Sequence, residues 1–154
     1  MSAEADKPAR LGDFLPYLLS VTSNAVSGRI AEVYRSRFGL NIPEWRVMAV
    51  LGDAGPQTQR ELTAATLMDK VAVNRACKVL ESRGLVAREP NAQDGRSHHL
   101  ELTGEGRAMH GRIMPLALEM ESQLFEAFTP EERQAFRSLL DRVRDQVGEI
   151  DPEG

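Results

Sequence analysis

The segment from Thr58 to Thr103 constrains the fold of this 154-residue chain more than any other part of its sequence. Two helix-start signals lie close together in it. Thr58 and Glu61 form the pattern of a capping box, and Asp69 offers a second N-cap. Gly84 follows the second helical stretch and can adopt the left-handed conformation that ends a helix. Two short helices with a tight turn between them are typical of a helix-turn-helix unit.

The sequence after Gly84 changes from a helical pattern to a strand pattern. LVARE is a short β-prone run, PNAQDGR is rich in turn-forming residues, and SHHLELT alternates in polarity and ends at Thr103. This order predicts a β-hairpin with a polar tip. We therefore expect a mainly α fold in which residues 42–103 form a winged helix-turn-helix domain with a small β-hairpin wing.

Further helices are predicted on both sides of this domain. Apolar residues recur at helical spacing from Phe14 to Phe38, and Gly39 follows. Asn41, Pro43 and Glu44 then start a shorter helix that is expected to reach about Gly52.

The C-terminal part contains two more helix starts. Thr103 is expected to begin a helix that continues to about Phe128, with a kink at Pro115 because proline removes a helical hydrogen bond. Thr129-Pro130-Glu131-Glu132 is a clear capping box, and its helix is expected to end near Val147. The chain is thus predicted to be one domain over residues 1–154, with helices at 11–39 and 104–148 around the winged segment.

Composition restricts the compartment and the partners. The single cysteine excludes an internal disulfide, and no stretch reaches the ~18–20 apolar residues of a membrane span. MSAEADKPAR lacks the apolar core of a signal peptide, so we expect a cytoplasmic protein without membrane contact. The net charge is −4, but nine basic and seven acidic residues lie between Gln57 and Arg112, so the charge distribution weakens the objection to DNA binding without itself supporting it.

The second helix of the predicted unit carries a polar face. If Val73, Cys77 and Leu80 point inward, the opposite side can enter a major groove. Arginine can pair with guanine and asparagine with adenine, whereas lysine mainly neutralises phosphate. A solvated polar face remains the alternative. The candidate residues on this face are Lys70, Val71, Asn74, Arg75 and Lys78, and Thr58, Gln59 and Arg60 at the preceding helix start complete the candidate set.

The hairpin tip supplies a second candidate contact. Arg96 lies between Gly95 and Ser97, and an arginine at such a tip can enter a narrow minor groove, where the negative potential is strongest. Asp94 is a candidate partner that orients the guanidinium, and Ser97 is included in the candidate set. The alternative is a surface turn without a partner.

These segments together resemble the MarR family of winged-helix regulators. The resemblance rests on PEWRVMAVL, TQRELTAATLMDKVAVNRACKVLESRGLVAREP, DGRS and LELTGEGR. It implies a homodimer, most often a repressor, whose first and last helices interlock and which reads near-palindromic operator DNA. It also implies that Arg75 enters the major groove and that Asp94 and Arg96 form a wing pair. Gly95 departs from the family pattern, in which a basic residue is common at that position.

The resemblance further implies a small-molecule effector bound between the dimer helices and the winged domain. The candidate residues are Asn24, Arg29, Trp45 and Arg46. Core packing of Trp45 and a dimer salt bridge of Arg29 are the alternatives. IPEWRVMAVLG and MDKVAVNRA are similar to regulators of aromatic-acid catabolism that respond to hydroxycinnamoyl-CoA thioesters.

Other functions are weighed against this one. Cys77 allows a thiol-based redox regulator, but it is predicted to face the core, and the family's redox branch has its cysteine on the first helix. Adjacent His98 and His99 point to opposite strand faces, so neither a metal nor a cofactor is expected. The sequence lacks a phosphate-binding glycine loop and a nucleophile elbow, which argues against an enzyme. A winged-helix protein-interaction module without DNA remains a third alternative.

Overall fold

Each helix of the winged segment begins at a side-chain cap. The structure is a computed structural model that describes residues 10–91 and 94–150, without the side chains of residues 91 and 94–96. α2 (Ile42–Ala54) and α3 (Gln59–Thr66) start with the capping boxes predicted at Asn41 and Thr58. α4 (Lys70–Ser82) starts at Asp69, whose carboxylate accepts from the Val71 N–H. Gly84 follows α4 with a positive φ, 73°, as its position after a helix predicts.

The flanking helices also agree with the predicted pattern, except for the end of α5. α1 (Leu15–Phe38) follows a 3₁₀ turn at Leu11–Asp13 and ends at Gly39 in the left-handed conformation. α5 spans Gly104–Leu124, and α6 spans Pro130–Glu149 after the predicted Thr129 capping box.

The predicted end of α5 at about Phe128 is wrong, because the residues after Leu124 form a turn. The Phe128 N–H donates to the carbonyl of Phe125, and the two rings meet edge to face at 5.3 Å. The helix continues through Pro115, and the kink stays a prediction.

The wing is an antiparallel sheet of three strands rather than the predicted hairpin of two. β2 (Val86–Asn91) and β3 (Asp94–Leu102) form the hairpin, and β1 (Gln57–Thr58) pairs with the other edge of β3. Thr58 lies opposite His99 in this ladder and is also the N-cap of α3. A two-residue strand is too short to show alternation, so the sequence pattern could not reveal β1.

The chain forms two compact units, one ending at Pro115 and one starting at Leu116. The first unit has a core to which α2, α3, α4, α5 and the sheet contribute fully buried side chains, including those of Val47, Met48, Leu62, Val73, Cys77, Leu80, Leu100 and Ile113. In the second unit the Phe125, Phe128 and Phe136 rings pack together, with centroids 5.3 to 6.4 Å apart. The division into a winged segment and dimerisation helices stays a prediction.

The first turn of α5 is tied to the end of α4. The Thr103 hydroxyl donates to the Gly84 carbonyl at 2.6 Å and accepts from the Gly106 N–H at 3.0 Å, which confirms Thr103 as the helix cap. A Cβ at Gly106 would lie 2.0 Å from the Leu85 carbonyl oxygen. This close approach of two backbone segments therefore requires glycine.

Replacing Gly106 with alanine should lower the free energy of unfolding by about 2 kcal/mol or more, because backbone must move to admit the methyl group. Chemical denaturation monitored by circular dichroism measures the change. Gly104→Ala is the matched control in the same turn, since a Cβ there meets nothing within 4 Å. Equal stabilities of the two variants would contradict the close approach.

Candidate nucleic-acid interface

The two sides of α4 differ in burial as the sequence predicts. Val73, Ala76, Cys77 and Leu80 are buried against the rest of the first unit. The opposite side of the helix is exposed and consists of the predicted residues Lys70, Val71, Asn74, Arg75 and Lys78, which we call the α4 outer face. Val71 is 59% exposed although it is apolar, so this face offers one aliphatic group among cations and an amide.

α3 and α4 enclose a groove beside this face. The groove has a volume of about 550 Å³ and is lined by Gln59, Arg60, Thr63, Ala64, Lys70 and Asn74. It brings together four residues that were predicted from the sequence on two different helices. Thr63 and Ala64 were missed; their position one turn after Gln59 and Arg60 on α3 is the signal that could have identified them.

A hydrogen-bonded series of side chains runs from the wing to the α4 outer face. The Arg88 guanidinium donates to both carboxylate oxygens of Glu81, each at 3.1 Å, and to Gln59 Oε1 at 3.3 Å. Gln59 Nε2 in turn donates to Asn74 Oδ1 at 2.5 Å. The bond to Glu81 raises the pKa of Arg88, so the arginine is a permanent cation.

Arg88 was not predicted from the sequence, although its strand position contains a signal. Arg88 lies opposite the buried Leu100 in the β2–β3 ladder, and residues paired across a ladder share one face of the sheet. Arg88 is exposed, so it lies at the edge of this face rather than inside the core, where an acidic neighbour can fix its guanidinium. Glu81 on α4 is that neighbour.

The wing tip is described in part. The backbone of β3 extends from Asp94, and Asn91 pairs with Asp94 at the end of the ladder. The side chains of Asp94 and Arg96 lie outside the described residues, so their pairing stays a prediction. Ser97 is half-buried in β3.

The four effector candidates do not form one cluster within a chain. Trp45 is half-buried, as is Arg46, and the Trp45 ring packs on Tyr34 with centroids 4.7 Å apart, as core packing predicts. Asn24 is exposed on α1 about 15 Å from Tyr34 towards the N-terminus, from the helical rise per residue. Arg29 forms an exposed ion pair with Glu32 at 3.3 Å within α1.

Tyr34 itself has an unusual environment. It is 1% exposed, and its hydroxyl lacks a hydrogen-bond partner among the described residues. Burial raises the pKa of this phenol. An unpaired buried hydroxyl costs about 1–3 kcal/mol of stability.

Cys77 occupies the core position that its helical spacing predicts. It is fully buried, and this burial raises the pKa of its thiol to about 11, with Arg88 opposing the shift and Glu81 adding to it. The thiol is therefore protonated at neutral pH and shielded from oxidants.

Within residues 10–91 and 94–150, no three His, Cys, Asp or Glu side chains are grouped to hold a metal ion. No helix in the same ranges is long and apolar enough to cross a membrane.

Comparison with known proteins identifies the family. A sequence model described as the MarR family matches residues 38–97. The HTH-type transcriptional regulator YwoH of Bacillus subtilis is 32% identical over 103 residues, which cover 67% of this chain and 74% of YwoH. The HTH-type transcriptional repressor Rv2887 of Mycobacterium tuberculosis is 26% identical over 108 residues, covering 70% and 78%.

Solved structures extend the similarity to most of the chain. A MarR/EmrR family transcriptional regulator from Acinetobacter superposes with a TM-score of 0.86 at 25% identity, covering 92% of this chain and all of that one. A mutant of Escherichia coli MarR in complex with operator DNA gives 0.74 at 25% identity, covering 84% and 92%.

One further structure shows the fold alone. Bordetella bronchiseptica BpsR, whose DNA binding is described as regulated by 6-hydroxynicotinic acid, gives a TM-score of 0.81 at 24% identity, covering 90% of this chain and 99% of BpsR. The relatives are transcriptional regulators rather than enzymes. With its winged helix-turn-helix fold and this similarity in sequence, the chain belongs to the MarR family of DNA-binding transcriptional regulators.

Proposed function

We propose that this chain is a homodimeric repressor that inserts the α4 outer face into the major groove of a near-palindromic operator. The observation that supports this most is the polarity of α4. Its apolar side is fixed in the core, while Asn74, Arg75 and two lysines are directed to solvent. A fixed helix that presents such groups matches the geometry of a recognition helix.

Each side chain on this face has a distinct role in the proposal. Arg75 donates two hydrogen bonds to guanine, and Asn74 contacts adenine. Lys70 and Lys78 neutralise phosphates, which makes binding depend on salt. Val71 supplies an exposed aliphatic contact for the methyl group of thymine.

The start of α3 and the wing complete the proposed interface. Arg60 is exposed at the edge of the groove and is available to a phosphate. The Thr58 hydroxyl accepts from the Glu61 N–H, so Thr58 orients α3. On the wing, Arg96 enters the minor groove with Asp94 and Ser97 beside it, as the sequence predicts. Because the partner is operator DNA, we expect the protein to act in the cytoplasm.

Exposed apolar side chains support the dimer. On α6 they recur three or four residues apart, and on α1 they are concentrated in the N-terminal half. In water such stripes are unfavourable, and two copies packed together would bury them. We assign residues 11–39 and 104–148 to this dimer interface within one domain over residues 1–154. The exposed apolar side chains are Phe14 at the N-cap of α1, Leu15, Leu19 and Val21 on α1, and Phe136, Leu139, Val143 and Val147 on α6.

We further propose that an aromatic acid or its CoA thioester releases the repressor from DNA. The regulation of BpsR by 6-hydroxynicotinic acid supports an aromatic acid as the class of effector. Trp45, beside the unpaired hydroxyl of Tyr34, offers a ring to stack on, and Arg46 offers a cation for a carboxylate. Asn24 and Arg29 would join this site from the dimer partner. The buried thiol of Cys77 gives no support to redox regulation.

The role of Arg75 is tested by an alanine substitution. Arg75→Ala should weaken binding to a duplex selected by the wild-type protein from random sequence by about 1–3 kcal/mol, because a bidentate base contact is lost. Fluorescence anisotropy titration measures the affinity. Arg10→Ala, which removes an exposed arginine outside both the candidate interface and the assigned dimer helices, is the control and should bind as the wild type does. An unchanged affinity of Arg75→Ala rejects the assigned contact.

The dimer interface is tested by placing a charge on the apolar stripe of α6. Val143→Asp should sediment with the mass of one chain at micromolar concentration, whereas the wild type sediments with twice that mass, since a buried unpaired carboxylate is unfavourable. Ser138→Asp adds the same charge on the opposite side of the exposed helix and should remain dimeric. A monomeric wild type would refute the dimer.

The effector class is tested by thermal unfolding with 4-hydroxybenzoic acid, 6-hydroxynicotinic acid and coumaroyl-CoA. A true effector at about 100 times its Kd adds about 2.7 kcal/mol to apparent stability and should raise Tm by several degrees. It should also weaken DNA binding, tenfold for each ~1.4 kcal/mol of coupling.

Matched variants separate ligand contact from packing in this assay. Trp45→Leu should lose the response, whereas Phe38→Leu, which removes another ring beside Tyr34, should keep it. Stabilisation by none of the three compounds, or stabilisation without loss of DNA binding, counts against the class.

A further inference from the structure

We infer that Arg88, although it lies on β2 outside the α4 outer face, determines which hydrogen-bonding group Asn74 offers to a base. Arg88 acts through Gln59 and is thus a positioning residue for operator specificity. The inference rests on the proposed function, because it requires Asn74 to contact a base. The series Glu81–Arg88–Gln59–Asn74 is called the relay below.

The relay begins at a rigid anchor. Arg88 is held by Glu81 through two hydrogen bonds of 3.1 Å, and a bidentate pair of this kind fixes the plane of the guanidinium. The two side chains are about one-third exposed, 31% and 28%, so they are shielded in part from competing water. The third nitrogen of the guanidinium, Nη1, therefore points in a defined direction and donates to Gln59 Oε1.

The polarity of the relay follows from the chemistry of arginine. A guanidinium donates hydrogen bonds and never accepts them, whereas an amide side chain does both. Arg88 consequently requires Gln59 to turn its oxygen towards the wing and its NH₂ group towards α4. That NH₂ group in turn requires Asn74 to present Oδ1 to Gln59, as the contact of 2.5 Å records. One permanent cation thus orients two amides in succession.

The consequence for DNA recognition lies in what remains available on Asn74. With Oδ1 held by Gln59, the Nδ2 group is directed away from α3 and can donate to an acceptor in the major groove. The bond from Gln59 occupies one of the two lone pairs of Asn74 Oδ1, and the other remains able to accept a hydrogen bond. Purine N7, guanine O6 and thymine O4 are the acceptors in that groove. The relay therefore favours a base that accepts from Asn74 Nδ2 and prevents the amide from rotating to suit other bases.

Reversal of the relay's polarity gives a sharp test. In Gln59→Glu the new carboxylate still accepts from Arg88 but cannot donate to Asn74. The Asn74 amide is then expected to rotate, with Nδ2 towards the carboxylate and Oδ1 towards DNA. Base preference at the contacted position should change from adenine, which accepts through N7, towards cytosine, which presents only the N4 donor in the major groove.

The experiment compares full-length variants by selection of bound duplexes from random sequence, followed by affinities for the four bases at each position of the selected site. Asn74→Ala identifies the position that Asn74 reads. At that position, Arg88→Met should reduce the ratio between the best and the next base at least fivefold. Gln59→Glu should change which base is best, and preferences elsewhere in the site should stay within twofold for both variants.

Two matched controls separate the relay from charge and from general structure. Gln57→Glu adds the same charge on β1, where Gln57 bonds to the Pro56 carbonyl and not to Asn74. Arg83→Met removes an arginine that bridges α4 to the carbonyls of Phe38 and Gly39 without touching the relay. Both controls should keep the wild-type base ranking, even if overall affinity falls.

The outcomes decide between the two levels of the proposal. If Asn74→Ala abolishes a base preference but Arg88→Met and Gln59→Glu retain it, the relay is overturned and the proposed function stands. If Asn74→Ala changes no preference, or the wild type selects no sequence, the contact assigned to Asn74 fails and the relay fails with it. Should Arg88→Met unfold, Gln59→Glu alone decides, since it keeps the partner of Arg88.

Discussion

The burial of one side of α4 is the interaction on which the rest of the winged unit depends. Val73, Cys77 and Leu80 pack into a core shared with α2, α3, α5 and the sheet, and each is inaccessible to water. Burial of an aliphatic side chain such as that of Val73 or Leu80 contributes about 1.5–3 kcal/mol. The core therefore fixes the rotation of the helix about its axis, and this rotation determines which residues face outward. In the proposed function, recognition of DNA is thus a consequence of packing.

The distribution of charge supplements this geometry. The chain as a whole has a net charge of −4, yet the outer face of α4 contains cations and no carboxylate. Ten acidic and only four basic residues lie after Arg112, so the C-terminal part repels a polyanion. The proposed interface therefore lies where cations are concentrated, and the acidic C-terminal part lies outside it. Total charge is a poor guide to nucleic-acid binding when the charges are segregated in this way.

Local hydrogen bonds were the most predictable part of the structure. The caps at Asn41, Thr58 and Thr129 involve residues three apart, so the sequence contains all their determinants. Non-local features were not predictable. Arg88 and Gln59 are separated by 29 residues, and β1 exists because β3 passes beside it. The turn that ends α5 contains no glycine or proline between Leu124 and Thr129, and the Phe125 and Phe128 rings pack edge to face in it, so the sequence carries no local stop signal there. The α4 outer face was predicted because helical periodicity reports burial, whereas the effector candidates had no such signal.

Thr58 belongs to two structures at once, since it pairs with His99 in the sheet and caps α3 with its hydroxyl. No residue separates β1 from α3. The wing and the helix-turn-helix therefore share one register. A slip of β3 by a single residue would displace the first turn of α3, and an inserted residue at this junction would break either the ladder or the cap. Variation in loop length during evolution should thus be tolerated between other elements of the winged unit and be forbidden at this junction.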